Sequence, residues 1–108
     1  MHILLDHVTP SGIARHLRGH TVTKAKDRGW DALANGDLLI QAELAGFDVL
    51  LTADKNMRYQ QNLKGRKIAI VVLSTPRWPA VKLHLEKIAA AVYAAQPGTY
   101  VEMAISPT

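Results

Sequence analysis

Three short apolar runs constrain the fold more than any other feature. Ile3-Leu4-Leu5, Val49-Leu50-Leu51 and Ile68-Ala69-Ile70-Val71-Val72-Leu73 show no alternation of polar and apolar residues. A strand with one wet face alternates with a period of two, whereas a strand apolar throughout is covered on both faces. Helical signals stand between the runs. Thr9-Pro10 reads as an N-cap followed by proline at the first helical position, with Ile13, Ala14 and Leu17 as an apolar stripe and Gly19 as the stop. Asn35 reads as the cap of a helix running to about Ala45 and ended by Gly46. Pro79 opens a long helix to about Ala95, with Val81, Leu85, Ile88 and Val92 on one face. His20 to Thr23 and Thr99 to Ile105 read as further strands, and Lys24 to Ala34 is a polar segment. Strands alternating with helices imply an α/β fold, a three-layer α/β/α sandwich with a mainly parallel sheet. With 108 residues, this is expected to be a single domain over residues 1–108.

The chain is 48% hydrophobic and 20% charged, enough to bury one core. It contains no cysteine, which excludes disulfides and zinc-thiolate sites. No apolar run approaches the roughly 18 residues of a membrane span, and an acid appears at position 6, too early for a signal-peptide apolar region. A cytoplasmic protein without a membrane partner is therefore expected. The net charge of +4 favours a polyanionic partner such as nucleic acid.

Three aspartates stand at the edges of these elements. Asp6 ends the first strand, Asp37 lies in the first turn of the helix after Asn35, and Asp54 follows the second apolar strand. In open α/β sheets, ligands bind outside the carboxyl ends of the strands. Carboxylates gathered there repel one another, and a shared hard cation, Mg²⁺ or Mn²⁺, relieves that repulsion. Each acid also has a plainer role: Asp37 complements its helix dipole, Asp54 suits a turn, and Asp6 ends a strand.

Other residues cluster by sequence around these acids. Lys55, Asn56 and Arg58 follow Asp54, and Arg77 follows the central strand; all four suit phosphate binding. His7 can contact phosphate or ligate Mn²⁺. Thr52 and Ser74 are placed to orient ligands by hydrogen bonding. Trp78 is expected to pack against the helix start. Arg15, Arg18, Lys24, Lys26 and Arg28 concentrate charge in one stretch, which suits either a solvated face or a nucleic-acid surface.

Ile3-Leu4-Leu5-Asp6, Gly29-Trp30, Asn35-Gly36-Asp37-Leu38-Leu39 and Gly46-Phe47-Asp48-Val49-Leu50-Leu51-Thr52-Ala53-Asp54-Lys55-Asn56 together resemble the PIN-domain ribonuclease superfamily. The pattern is most similar to its short bacterial PIN-like members, over nearly the whole chain. The resemblance implies that Asp6, Asp37 and Asp54 are the catalytic metal ligands, that Mg²⁺ or Mn²⁺ is the cofactor, and that RNA is the substrate. It also implies a toxin with a cognate antitoxin and a homodimer, for which the last strand is the natural pairing edge. The chain departs from the pattern in having His7 where short relatives carry a second acid, and only Asp27 and Asp31 between the first and helix-borne aspartates.

The expected function is therefore a metal-dependent endoribonuclease. The alternative is a catalytically weak or inactive PIN-like module that binds RNA or a protein partner. A phosphoacceptor receiver-like domain would need paired acids at the first strand and a lysine after the last. His7 takes the first place, and Glu102-Met103-Ala104-Ile105-Ser106 holds no lysine.

Overall fold

The computed structural model describes residues 1–17, 19–54 and 66–105. Its strands are β1 (His2–Leu5), β2 (Thr21–Lys24), β3 (Val49–Thr52), β4 (Ala69–Leu73) and β5 (Tyr100–Met103). They form one sheet in the order β2-β1-β3-β4-β5, and every adjacent pair is parallel. The three apolar runs are the three central strands. All residues of β3 and β4 are buried.

Each face of the sheet has its own core, because alternate residues of a strand point to opposite sides. Ile3, Leu5, Val49, Leu51, Val71 and Leu73 pack on one side with Ile13, Leu17, Val81, Ile88 and Val92. Leu4, Leu50, Ile70 and Val72 pack on the other with Leu38, Leu39, Ala42 and Phe47. This two-sided burial makes the expected α/β/α sandwich. Burying a leucine such as Leu50 in full contributes about 1.5–3 kcal/mol.

The helices are α1 (Asn35–Leu44), α2 (Trp78–Val81) and α3 (Leu85–Ala94), with 3₁₀ turns at Ser11–His16, Ala25–Arg28 and Lys82–His84. Helix α1 ends as its sequence foretells. Gly46 adopts φ +85°, Gly46 N–H donates to Glu43 O, and Phe47 N–H donates to Ala42 O. This pair of bonds satisfies the last carbonyls of the helix and turns the buried Phe47 into β3.

Two helical expectations are corrected. Residues 79–95 do not form one helix: His84 leaves helical geometry (φ −124°, ψ 21°), which separates α2 from α3. Ala80 and Val81 of α2 and Ile88 and Val92 of α3 are still buried on the same side of the sheet. The segment after Thr9-Pro10 is a 3₁₀ turn rather than an α-helix, and Thr9 is not its cap. The Thr9 hydroxyl donates instead to Leu51 O at 3.1 Å, tying the end of β1 to β3.

Trp78 packs across this 3₁₀ turn. A Cβ on Gly12 would lie 2.6 Å from Trp78 Cη2 and 2.9 Å from Cζ3, closer than real Cβ contacts come. Gly12→Ala must therefore push the indole aside, and a loss of about 1–3 kcal/mol is expected, read as a lower urea midpoint with an unchanged slope.

Candidate functional site

The topology itself selects one end of the sheet. The chain leaves β1 to form β2 on one side, and β3, the neighbour of β1 on the other side, is followed by β4 further out. Connections diverging from adjacent parallel strands open a crevice at their carboxyl ends. Asp6 follows β1 directly, and Asp54 lies two residues beyond β3.

Asp6 is only 4% exposed. Its backbone N–H donates to Leu51 O at 3.0 Å, so β1–β3 pairing continues up to the site. Its carboxylate is held from two sides. Thr52 Oγ1 donates to Oδ2 at 2.7 Å, and the His7 backbone N–H donates to Oδ1 at 2.7 Å. His7 Nδ1 also lies 3.0 Å from Oδ1, a distance at which a protonated Nδ1 donates. The fully buried Thr52 hydroxyl in turn accepts from the Asp54 backbone N–H at 3.1 Å. One hydroxyl thus fixes the carboxylate after β1 and the backbone turn after β3.

Asp54 is tied to the helix layer as well. Asn35, the first residue of α1, donates from its amide nitrogen to Asp54 Oδ2 at 3.0 Å. Sequence reading gave Asn35 to the helix cap, but Ala34 stands at the N-cap and the Asn35 amide reaches across to the acid. Asn35→Ala is expected to lower unfolding free energy by about 1 kcal/mol, read from the urea midpoint.

The remaining expected residues fall in several places. Asp37 lies in the first turn of α1 and is exposed. Among the described residues, no group of three or more His, Cys, Asp or Glu side chains stands together as a ready metal cage. Ser74 bonds elsewhere: its Oγ accepts from Ile105 N–H at 2.7 Å, fastening the chain beyond β5. Arg77 is exposed before α2, with its backbone N–H donating to Thr75 Oγ1. Lys55, Asn56 and Arg58 lie outside the described residues.

Lys24 and Lys26, expected only as part of a charged stretch, line the same cleft as Asp6. A cleft of about 250 Å³ beside Asp6 is lined by Leu5, Asp6, His7, Thr9, Ser11, Lys24 and Lys26. Parallel pairing sets Lys24 opposite Leu5, one residue before Asp6. The signal was present in the sequence as a lysine closing the strand next to β1, but reading it required the register.

Asp6 and Asp54 offer carboxylate oxygens of the kind a hard divalent cation takes, and Asp6 Oδ2 keeps a lone pair beyond its bond from Thr52. Asp6 is buried, and among the described residues no lysine or arginine forms an ion pair with it. A buried carboxylate without a fixed cation is costly, and a bound cation relieves that cost. Among the described residues, no helix is long and apolar enough to cross a membrane. Comparison of the chain with protein-family models, curated proteins and solved structures finds no match.

Proposed function

We propose that this protein is a divalent-metal-dependent endoribonuclease of PIN type, with Asp6, Asp37 and Asp54 as its metal ligands. The observation that carries the reading is the buried Asp6 carboxylate, oriented by Thr52 at the β1–β3 crevice with Lys24 and Lys26 in the same cleft. One hydroxyl, that of Thr52, links the Asp6 carboxylate to the backbone N–H of Asp54. Mg²⁺ or Mn²⁺ bound there would lower the pKa of a coordinated water and offset charge on the scissile phosphate.

The chain's own residues do the positioning. Thr52 holds Asp6 in one rotamer, and Asn35 holds Asp54 from α1. Asp37, two residues after Asn35 in the first turn of α1, would complete the ligand set. The His7 ring, about half exposed, faces a phosphate entering the cleft. The same reading takes in a cognate antitoxin and pairing of two copies through the edge strand β5.

The test is cleavage of a mixed RNA pool with Mn²⁺, Mg²⁺ or EDTA, beside the Asp6→Asn, Asp54→Asn double variant, with Mn²⁺ calorimetry on both proteins. Metal-dependent cleavage that vanishes in the variant is expected. RNA binding without metal binding or cleavage would favour a non-catalytic module, in which His7 occupies Asp6 in place of an ion.

A further inference from the structure

We infer that the RNA strand runs from the Asp6 site across the end of β2, with its backbone phosphates held by Lys24 and Lys26. This inference rests on the ribonuclease reading above and adds the direction of the substrate path and the residues that hold it.

Among the described residues, the cations that line the clefts at the crevice end lie on the β2 side. On the β2 side, the cleft that contains Asp6 and His7 is walled by Lys24 and Lys26, with the Thr9 and Ser11 residues beneath. Both lysines are exposed, and neither makes an ion pair among the described residues, although Asp27 and Asp31 are near in sequence. On the β5 side, a cleft of about 320 Å³ is lined by Val72, Ser74, Glu102, Met103 and Ala104, with no cation among its described residues. Arg77 lines neither cleft. A polyanion placed at Asp6 therefore meets Lys24 and Lys26 toward β2.

The register places Lys24 at the carboxyl end of β2, level with the end of β1. Paired residues of parallel neighbours point to the same face, so Lys24 lies beside Leu5, on the face that carries Ile3 and Val22. Adjacent strands are about 4.8 Å apart, which sets the lysine backbone one strand width from the end of β1. Lys26 follows in the 3₁₀ turn that continues from β2. A lysine ammonium is a compact point charge that meets phosphate oxygens without the planar fork of arginine. The pair therefore sets affinity and the path of the backbone.

The experiment measures binding of a fluorescein-labelled single-stranded RNA by anisotropy in EDTA, between 50 and 300 mM KCl. It compares wild type, Lys24→Ala/Lys26→Ala, and Lys82→Ala/Lys87→Ala, a control of equal charge loss whose lysines line a separate groove. Releasing two phosphate contacts lowers the magnitude of the log–log salt slope by about 1.4 and weakens binding roughly tenfold at 0.15 M salt. The control pair is expected to keep both values near wild type. Equal behaviour of the two double variants would overturn the inference while leaving the ribonuclease reading in place. Absence of RNA binding by wild type would overturn both. Mn²⁺ calorimetry on each protein, expected to be unchanged by either lysine pair, reports separately on the carboxylate site.

Discussion

Asp6→Asn is expected to abolish RNA cleavage while leaving the protein folded and about as stable as wild type. Loss of a ligand carboxylate removes several kcal/mol of transition-state charge stabilisation, which corresponds to roughly a 10³-fold lower rate. The effect on stability is small because two terms oppose each other. Asparagine keeps one oxygen for the His7 N–H but turns an amide nitrogen toward Thr52, at a cost of about 1 kcal/mol. Against this, a charge 96% removed from solvent and lacking a lysine or arginine partner among the described residues is neutralised. Single-turnover cleavage and urea unfolding on the same preparation decide the matter. Unchanged cleavage would remove Asp6 from the site, and a stability loss above about 3 kcal/mol would make it a structural residue.

That pairing of a buried acid with a crevice was legible in part from the sequence, and the legible part has a simple cause. Leu4, Leu50 and Ile70 face one core and Leu5, Leu51 and Val71 the other, so the central strands must be apolar at every position. Such runs declare themselves without alignment or register. Gly46 was equally readable, since only a residue at ease with positive φ ends α1 in that way. The helical signals failed where tertiary contacts claimed the same groups. Thr9 has the chemistry of an N-cap, but its hydroxyl bonds Leu51 O across the sheet. Val81, Leu85, Ile88 and Val92 have helical spacing, yet the backbone departs from it at His84.

The site divides along the same line. The positions of Asp6 and Asp54 after β1 and β3 were readable because strand ends in a parallel sheet are easy to locate, whereas the Thr52 bonds that join them were not. Asn35 was given the wrong partner, since a helix-start asparagine looks like a cap whichever way its amide points. Ser74 resembles Thr52 in position but serves Ile105, because β5 lies beside β4 and the chain just beyond β5 bonds to it. Lys24 and Lys26 were hidden for a different reason. Their placement depends on β2 lying next to β1 in the register Leu5 to Lys24, a non-local fact that no local pattern encodes.

Thr52→Val is expected to produce the largest combined loss of any conservative substitution. The side chain is fully buried and nearly isosteric with valine, so packing volume is kept and only the hydroxyl is lost. That hydroxyl is both donor and acceptor: it donates to Asp6 Oδ2 and accepts from Asp54 N–H. Its removal leaves a buried carboxylate oxygen and a partly buried amide each short of a partner, at about 1–3 kcal/mol apiece, and more for the charged one. A total near 3 kcal/mol follows, a large share of the roughly 5–15 kcal/mol that stabilises a domain of this size. The surviving folded fraction should also bind Mn²⁺ about 10–100-fold more weakly, the usual cost of losing a group that orients a metal ligand. Thr52→Ser separates the two contributions. It restores the hydroxyl and loses one methyl group, so metal affinity should return to near the wild-type value while stability stays about 1 kcal/mol lower. Equal metal affinities for the valine and serine variants would show that Thr52 only stabilises the β1–β3 junction. Full recovery by serine alone would tie the hydroxyl to the geometry of Asp6.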